Sequence, residues 1–85
     1  MNGITDGRLL GILEYVKDTE RIPELSDLEW KELIGRNKLI WDYDGWTSGG
    51  KSLYWLTDKG MEWLTSLRNA NVTAEETEEY GAKNN

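Results

Sequence analysis

The chain of 85 residues contains no cysteine, no histidine and no phenylalanine, and it has a single proline. Without cysteine there is no disulfide bond, thiolate nucleophile or thiolate metal site, and without histidine there is no imidazole ligand or Ser–His pair. No apolar run approaches the roughly 20 residues of a membrane-spanning helix, and the first residues lack the pattern of a signal peptide. We therefore expect a cytoplasmic protein that is not an enzyme, uses no metal or cofactor and has no membrane partner.

Acidic residues outnumber basic ones by 16 to 10, so the formal net charge is −6 at pH 7. Half of this excess lies in residues 71–85, where four glutamates accompany one lysine and few side chains are suited to burial. The composition predicts one small domain over residues 1–70, followed by a disordered acidic tail. Simple solvation accounts for such a tail; shielding a basic surface or contacting a basic partner is the functional alternative.

Two helices are predicted in the first half of the chain. The first extends from about Thr5 to Asp18, with Thr5 or Asp6 as its cap, because its aliphatic residues recur on one face at helical spacing. Arg8 lies outside that apolar face. The second begins at Ser26, whose spacing to Glu29 fits a capping box, and it is expected to end near Gly35 with a left-handed residue.

The apolar residues of the second helix do not share one face. Trp30, Leu33 and Ile34 cluster together, whereas Leu28 lies roughly opposite them on a regular helix. Either this segment is irregular and Leu28 still reaches the core, or Leu28 belongs to an exposed contact surface.

Two strands are predicted around a glycine-rich loop in the second half of the chain. Trp41, in the first strand, is expected to pack across the hairpin near Trp55 or Leu53. Residues 45–52 read Gly-Trp-Thr-Ser-Gly-Gly-Lys-Ser and match a phosphate-loop pattern, but the strand after them and the short chain argue against nucleotide binding. Trp46, at the loop tip, is expected either to be exposed for base stacking or protein contact, or to fold back over the hairpin.

Residues 54–64 read as a strand that leads directly into a capped helix. Tyr54 and Leu56 share a strand face, Thr57 has the side chain of an N-cap, and Leu64 belongs to a helical apolar stripe. The pattern Tyr-x-Leu-Thr-x-x-Gly-x-x-x-Leu resembles the last strand and last helix of MarR-, PadR- and related winged-helix regulators. The resemblance implies an α+β winged-helix domain over residues 1–70, with about three helices and a two-stranded hairpin wing before the last helix.

In that alignment the Ser26 helix corresponds to the DNA-recognition helix, and the chain departs from the family there in two respects. Only about 20 residues separate the first helix from the first strand, so the positioning helix of a helix-turn-helix is missing or vestigial. The Ser26 helix also carries Asp27, Glu29 and Glu32 against Lys31 alone, a balance that DNA phosphates would repel.

Two functions remain open at this point. The resemblance implies a DNA-binding transcriptional regulator, whose contacts with double-stranded DNA would come from Arg36, Lys38, Trp46 and Lys51. The departures favour a protein-interaction module that does not bind DNA, such as a phage- or plasmid-type inhibitor, an adaptor or an acidic DNA mimic. Its partner surface would comprise Asp27, Leu28, Glu29, Glu32 and Trp46. A homodimer formed through the last helix is compatible with either function.

Overall fold

The computed structural model describes residues 3–43 and 53–74. Its elements in chain order are helix α1 (Asp6–Thr19), helix α2 (Asp27–Trp30), a π-helix (Lys31–Arg36), strands β1 (Ile40–Tyr43) and β2 (Leu53–Leu56), and helix α3 (Asp58–Asn69). Because the π-helix continues α2, the described chain is a small α+β domain with an antiparallel hairpin between its second and third helices, as predicted.

Helix α1 provides the largest part of the core. Thr5, one of the two predicted cap residues, caps its start by accepting a hydrogen bond from the Arg8 amide at 3.1 Å. The buried apolar side chains come from α1, the π-helix, the start of β1 and α3, with Ile4 preceding them. They are Ile4, Leu9, Leu10, Ile12, Leu13, Val16, Leu33, Leu39, Ile40, Leu64 and Leu67.

The segment between α1 and α2 contains no helix. Glu20 ends α1 in the left-handed conformation with φ of 59°. The Glu20 carbonyl then accepts a hydrogen bond from the Tyr54 amide at 3.0 Å, so the chain leaving α1 lies beside β2.

The second helix is irregular, as one of the two interpretations of Leu28 expected, but the irregularity does not bring Leu28 into the core. Its start has the predicted capping box, since the Ser26 hydroxyl accepts from the Glu29 amide at 3.1 Å and the Glu29 carboxylate accepts from the Ser26 amide at 2.9 Å. After Trp30 the backbone widens into the π-helix. Leu33 is fully buried, but Leu28 is 46 % exposed and does not join the core.

The prediction that Gly35 ends this helix in the left-handed conformation is wrong. The π-helix continues to Arg36, and it is Lys38 that adopts a positive φ of 52°. This turn directs the Leu39 amide to the Leu33 carbonyl at 2.8 Å, a bond that spans one residue more than in an ordinary Schellman motif. Leu33 and Leu39 are both completely buried, which explains why the chain reverses after Lys38 rather than at Gly35.

The hairpin register places Ile40 opposite Leu56 and Trp41 opposite Trp55. Ile40 is buried and Leu56 packs against the core, so alternate residues of both strands face solvent. The predicted cross-strand placement of Trp41 is confirmed, but its ring is 53 % exposed and adds little to the core.

The junction between β2 and α3 follows the pattern predicted for residues 54–64. The Thr57 hydroxyl caps α3 by accepting from the Gly60 amide at 3.0 Å, and it donates to the Lys38 carbonyl at 2.6 Å. Gly60 packs so closely on the Leu39 carbonyl that a Cβ atom there would overlap it. Threonine and glycine of the pattern therefore fix α3 against the start of β1.

Leu64 and Leu67 of α3 face the core as predicted, and Trp63 packs partly against it. Val72 and Ala74, beyond the end of α3, also pack against the core. Within the described ranges no helix combines the length and apolar character that crossing a membrane requires.

Candidate functional site

The acidic side chain of Glu29 is built into the fold rather than presented to a partner. Arg8 reaches it from α1 with two hydrogen bonds, at 2.7 Å from Nε and 3.0 Å from Nη2, and Nη2 also donates to the Glu24 carbonyl at 2.8 Å. The side chains of Arg8 and Glu29 are 9 % and 13 % exposed. The hydrogen bonds from Arg8 lower the pKa of Glu29, although burial opposes this effect.

Glu32 is also removed from the surface. Its side chain is 7 % exposed, and its Oε2 atom lies 3.5 Å from Nε of Arg36, one helical turn further along. The same Oε2 atom has no hydrogen-bond partner. The Arg36 side chain is two-thirds exposed, whereas the side chain of Glu32 is buried.

These two interactions correct the expectation that the Ser26 helix presents three carboxylates against one lysine. Of its acidic residues only Asp27 is exposed, whereas Lys31, Arg36 and Lys38 are all exposed. The reason is geometric: Glu29 points toward α1 and Glu32 points into the domain. The exposed charges from α2 to the start of β1 are therefore mainly positive, and we call Lys31, Arg36 and Lys38 the basic segment.

Leu28 is exposed on the same short helix, but it is not free of contacts. Its Cδ2 atom lies against Gly3, close enough that a Cβ atom at Gly3 would overlap it. Trp30, 40 % exposed, makes an edge-to-face contact with Tyr54, with ring centroids 6.1 Å apart and an angle of 77° between the rings. Burial and the nearby Asp42 carboxylate raise the pKa of Tyr54.

The predicted site residues are thus divided by the structure. Arg36 and Lys38 lie together at the end of the π-helix, and Asp27 and Leu28 lie at the start of α2. Glu29 and Glu32 are withdrawn from the surface that the protein-interaction hypothesis assigned to them. Trp46 and Lys51 lie outside the described residues.

Three side chains contribute in ways that the sequence did not predict. Arg8 was assigned to the polar face of α1, yet it is buried and sets the orientation of Glu29. Its partner is 21 residues away, so no local pattern could reveal the contact. Trp41 and Trp55 were assigned to cross-strand packing, and the structure adds that both rings are exposed, at 53 % and 38 %. Because neighbouring strand residues face opposite sides, the burial of Ile40 implies the exposure of Trp41, but the sequence does not show which of the two faces is buried.

The described parts of the chain hold no group of three or more acidic side chains arranged to bind a metal ion. Comparison of the sequence and structure with protein-family models, curated proteins and solved structures found no match. The charges and exposed side chains of this chain are therefore the features that indicate its function.

Proposed function

We propose that this chain is a DNA-binding transcriptional regulator on a shortened winged-helix scaffold, in which the basic segment contacts the backbone of double-stranded DNA. The observation that carries this proposal is the withdrawal of Glu29 and Glu32 from the surface, which leaves Lys31, Arg36 and Lys38 exposed. The scaffold assignment is supported by the hairpin between the helices and by the chain after α1, which lies beside β2.

The three cations predict how DNA affinity depends on salt. Each phosphate contact contributes about −0.9 to the slope of log affinity against log salt concentration. Three contacts therefore predict a slope near −2.7, or a loss of about 40-fold between ~50 mM and ~200 mM salt. The measurement is the fluorescence anisotropy of a labelled mixed-sequence duplex titrated with the protein at both concentrations.

Two charge-removing variants test the basic segment directly. Lys31→Gln and Lys38→Asn should each weaken binding and reduce the slope by about 1, and asparagine suits the left-handed conformation at position 38. Lys17→Gln, an exposed lysine on α1, is the matched control and should leave both quantities unchanged. Failure of the wild-type protein to bind at ~50 mM salt would refute the proposal, as would equal losses for all three variants.

The acidic residues provide a test of the opposite sign. Asp27→Asn removes the exposed carboxylate at the start of α2 and should strengthen DNA binding. Removing the Glu29 charge instead destabilises the fold, since Glu29 already neutralises the buried Arg8. If Asp27→Asn leaves the affinity for DNA unchanged, helix α2 does not contact DNA.

A protein-interaction module is the second candidate, and the exposure of Leu28 and Trp30 favours it. Both side chains lie on the four-residue helix α2 and are 46 % and 40 % exposed. On this hypothesis the wild-type protein binds a protein partner, and the double variant Leu28→Gln, Trp30→Gln fails to bind it although its thermal stability is unchanged. Absence of duplex binding at ~50 mM salt would accompany that result.

A further inference from the structure

The solvent face of the hairpin carries two exposed tryptophan rings, one on each strand. Trp41 and Trp55 are directly opposite each other in the register, at positions where Cβ atoms lie about 5 Å apart. Their partners on the other face, Ile40 and Leu56, pack toward the core. Neither ring is needed to fill the domain interior, which distinguishes the two tryptophans from Trp63 of α3.

The two rings differ in their surroundings. The Trp55 indole nitrogen donates a hydrogen bond to the Glu20 carboxylate at 2.7 Å, which holds this ring by its edge. Trp41 instead lines a shallow depression at the edge of the hairpin. The depression is formed by Ile34, Lys38, Ile40, Trp41 and Asp42.

The geometry points to a binding site for single-stranded nucleic acid, in which an unpaired base stacks on Trp41 and its phosphate contacts Lys38. A nucleotide combines a flat ring with an adjacent anion, and this depression combines an exposed aromatic ring with an exposed cation. Stacking of this kind tolerates every base, because each has a π-face. Lys38 also ends the basic segment, so the site continues the surface proposed to contact duplex DNA.

Asp42 lines the depression as well, and its carboxylate is exposed. It opposes the phosphate that Lys38 attracts, so the site is expected to bind weakly. A single phosphate contact also predicts only a modest dependence of affinity on salt, with a slope of about −0.7. Glu20 places a second carboxylate beside Trp55. We therefore assign the base to Trp41, which lies in the depression with the cation, rather than to Trp55.

The test uses a labelled oligothymidylate of about 12 nucleotides, titrated with the full-length protein at ~50 mM salt and followed by anisotropy. Trp41→Leu retains apolar bulk without an aromatic face, and it should weaken binding by about 5- to 150-fold. Trp41→Phe retains the aromatic face and should remain close to wild type. Asp42→Asn should strengthen binding, and Met61→Ala, another exposed apolar residue, which lies on α3, is the matched control.

No binding by the wild-type protein at ~50 mM salt would overturn this assignment. Equal losses for Trp41→Leu and Trp41→Phe would also overturn it, because a stacking site must distinguish the two; Trp41 would then be a protein contact or a packing residue. The same variants are titrated with duplex DNA. Loss of oligonucleotide binding alone by Trp41→Leu supports stacking of an unpaired base on Trp41, whereas equal loss of both activities makes Trp41 a duplex contact and refutes the assignment of an unpaired base to it. If the wild-type protein binds the oligonucleotide but not the duplex, the proposed function fails and this inference stands.

Discussion

The Arg8–Glu29 pair is the interaction whose loss should change stability most clearly, and Glu29→Gln is the perturbation. Glutamine keeps the shape of the side chain and the acceptor for the Ser26 amide, but it removes the charge that compensates a guanidinium only 9 % exposed. Breaking one partner of a buried ion pair costs about 3–5 kcal/mol. Since glutamine retains one acceptor, we expect the lower end, about 3 kcal/mol.

This loss is large compared with the stability of so small a domain, which is on the order of 5 kcal/mol. The assay is urea unfolding followed by tryptophan fluorescence, in which small domains have slopes near 1 kcal/mol/M. The expected loss then lowers the midpoint by about 3 M. Asp27→Asn, an exposed acid on the same helix, should change stability by less than about 1 kcal/mol.

The double variant Arg8→Met, Glu29→Gln shows whether the Arg8–Glu29 ion pair behaves energetically as a buried pair or as a surface pair. Arg8→Met removes the guanidinium, so the double variant contains no buried charge without a counter-charge. It should therefore be more stable than Glu29→Gln alone. A loss below about 1 kcal/mol for Glu29→Gln would mean that solvent screens this pair. Glu29 would then count as a surface charge, and the electrostatic objection to DNA binding would regain its force.

Two further perturbations follow from the same contacts. Because Arg8 lowers the pKa of Glu29, the ionised Glu29 stabilises the folded state. This stabilisation is complete above the ordinary glutamate pKa of about 4.3 and is lost as the pH falls through the lower folded-state pKa. Urea midpoints should therefore fall less steeply between pH 7 and pH 3 in Glu29→Gln than in the wild-type protein, and parallel pH profiles would contradict this. Gly60→Ala places a Cβ atom against the Leu39 carbonyl and should lower the free energy of unfolding in urea by about 2–3 kcal/mol. At Gly35 an added Cβ atom would meet no atom within 4 Å, so Gly35→Ala should be neutral or stabilising by up to about 1 kcal/mol. Equal effects of the two alanines would refute the close packing at Gly60.

The sequence predicted those features that depend on neighbouring residues. Thr5, Ser26 and Thr57 each cap the helix that follows, because a hydroxyl three residues before an amide can satisfy it whatever the rest of the chain does. The same local logic identified the strand-to-helix junction. Gly60 was part of the predicted pattern, but the reason for a glycine there, contact with the Leu39 carbonyl, appears only in three dimensions.

The features that the sequence did not predict depend on tertiary contacts. Gly35 is a good helix terminator by composition, yet Leu33 and Leu39 must both enter the core, and the wider turn that allows this places the left-handed residue at Lys38. Arg8 and Glu29 lie on separate helices, and helical periodicity assigned both to solvent. Capping explained only the hydrogen bond between Glu29 and Ser26.

For function, the consequence is that the second helix is less acidic at its surface than its sequence indicates. Counted from the sequence, the residues between Ser26 and Gly35 are acidic and argue against DNA. Counted at the surface, Arg8 has neutralised Glu29, Glu32 is buried beside Arg36, and Asp27 is the remaining exposed acid of the helix. The net charge of the whole chain still slows approach to DNA, but charges are screened beyond about 10 Å at moderate salt. Local exposed cations therefore determine whether this segment binds a phosphate backbone, which is why Lys31, Lys38 and Asp27 test the proposal more directly than the acidic residues that first argued against it.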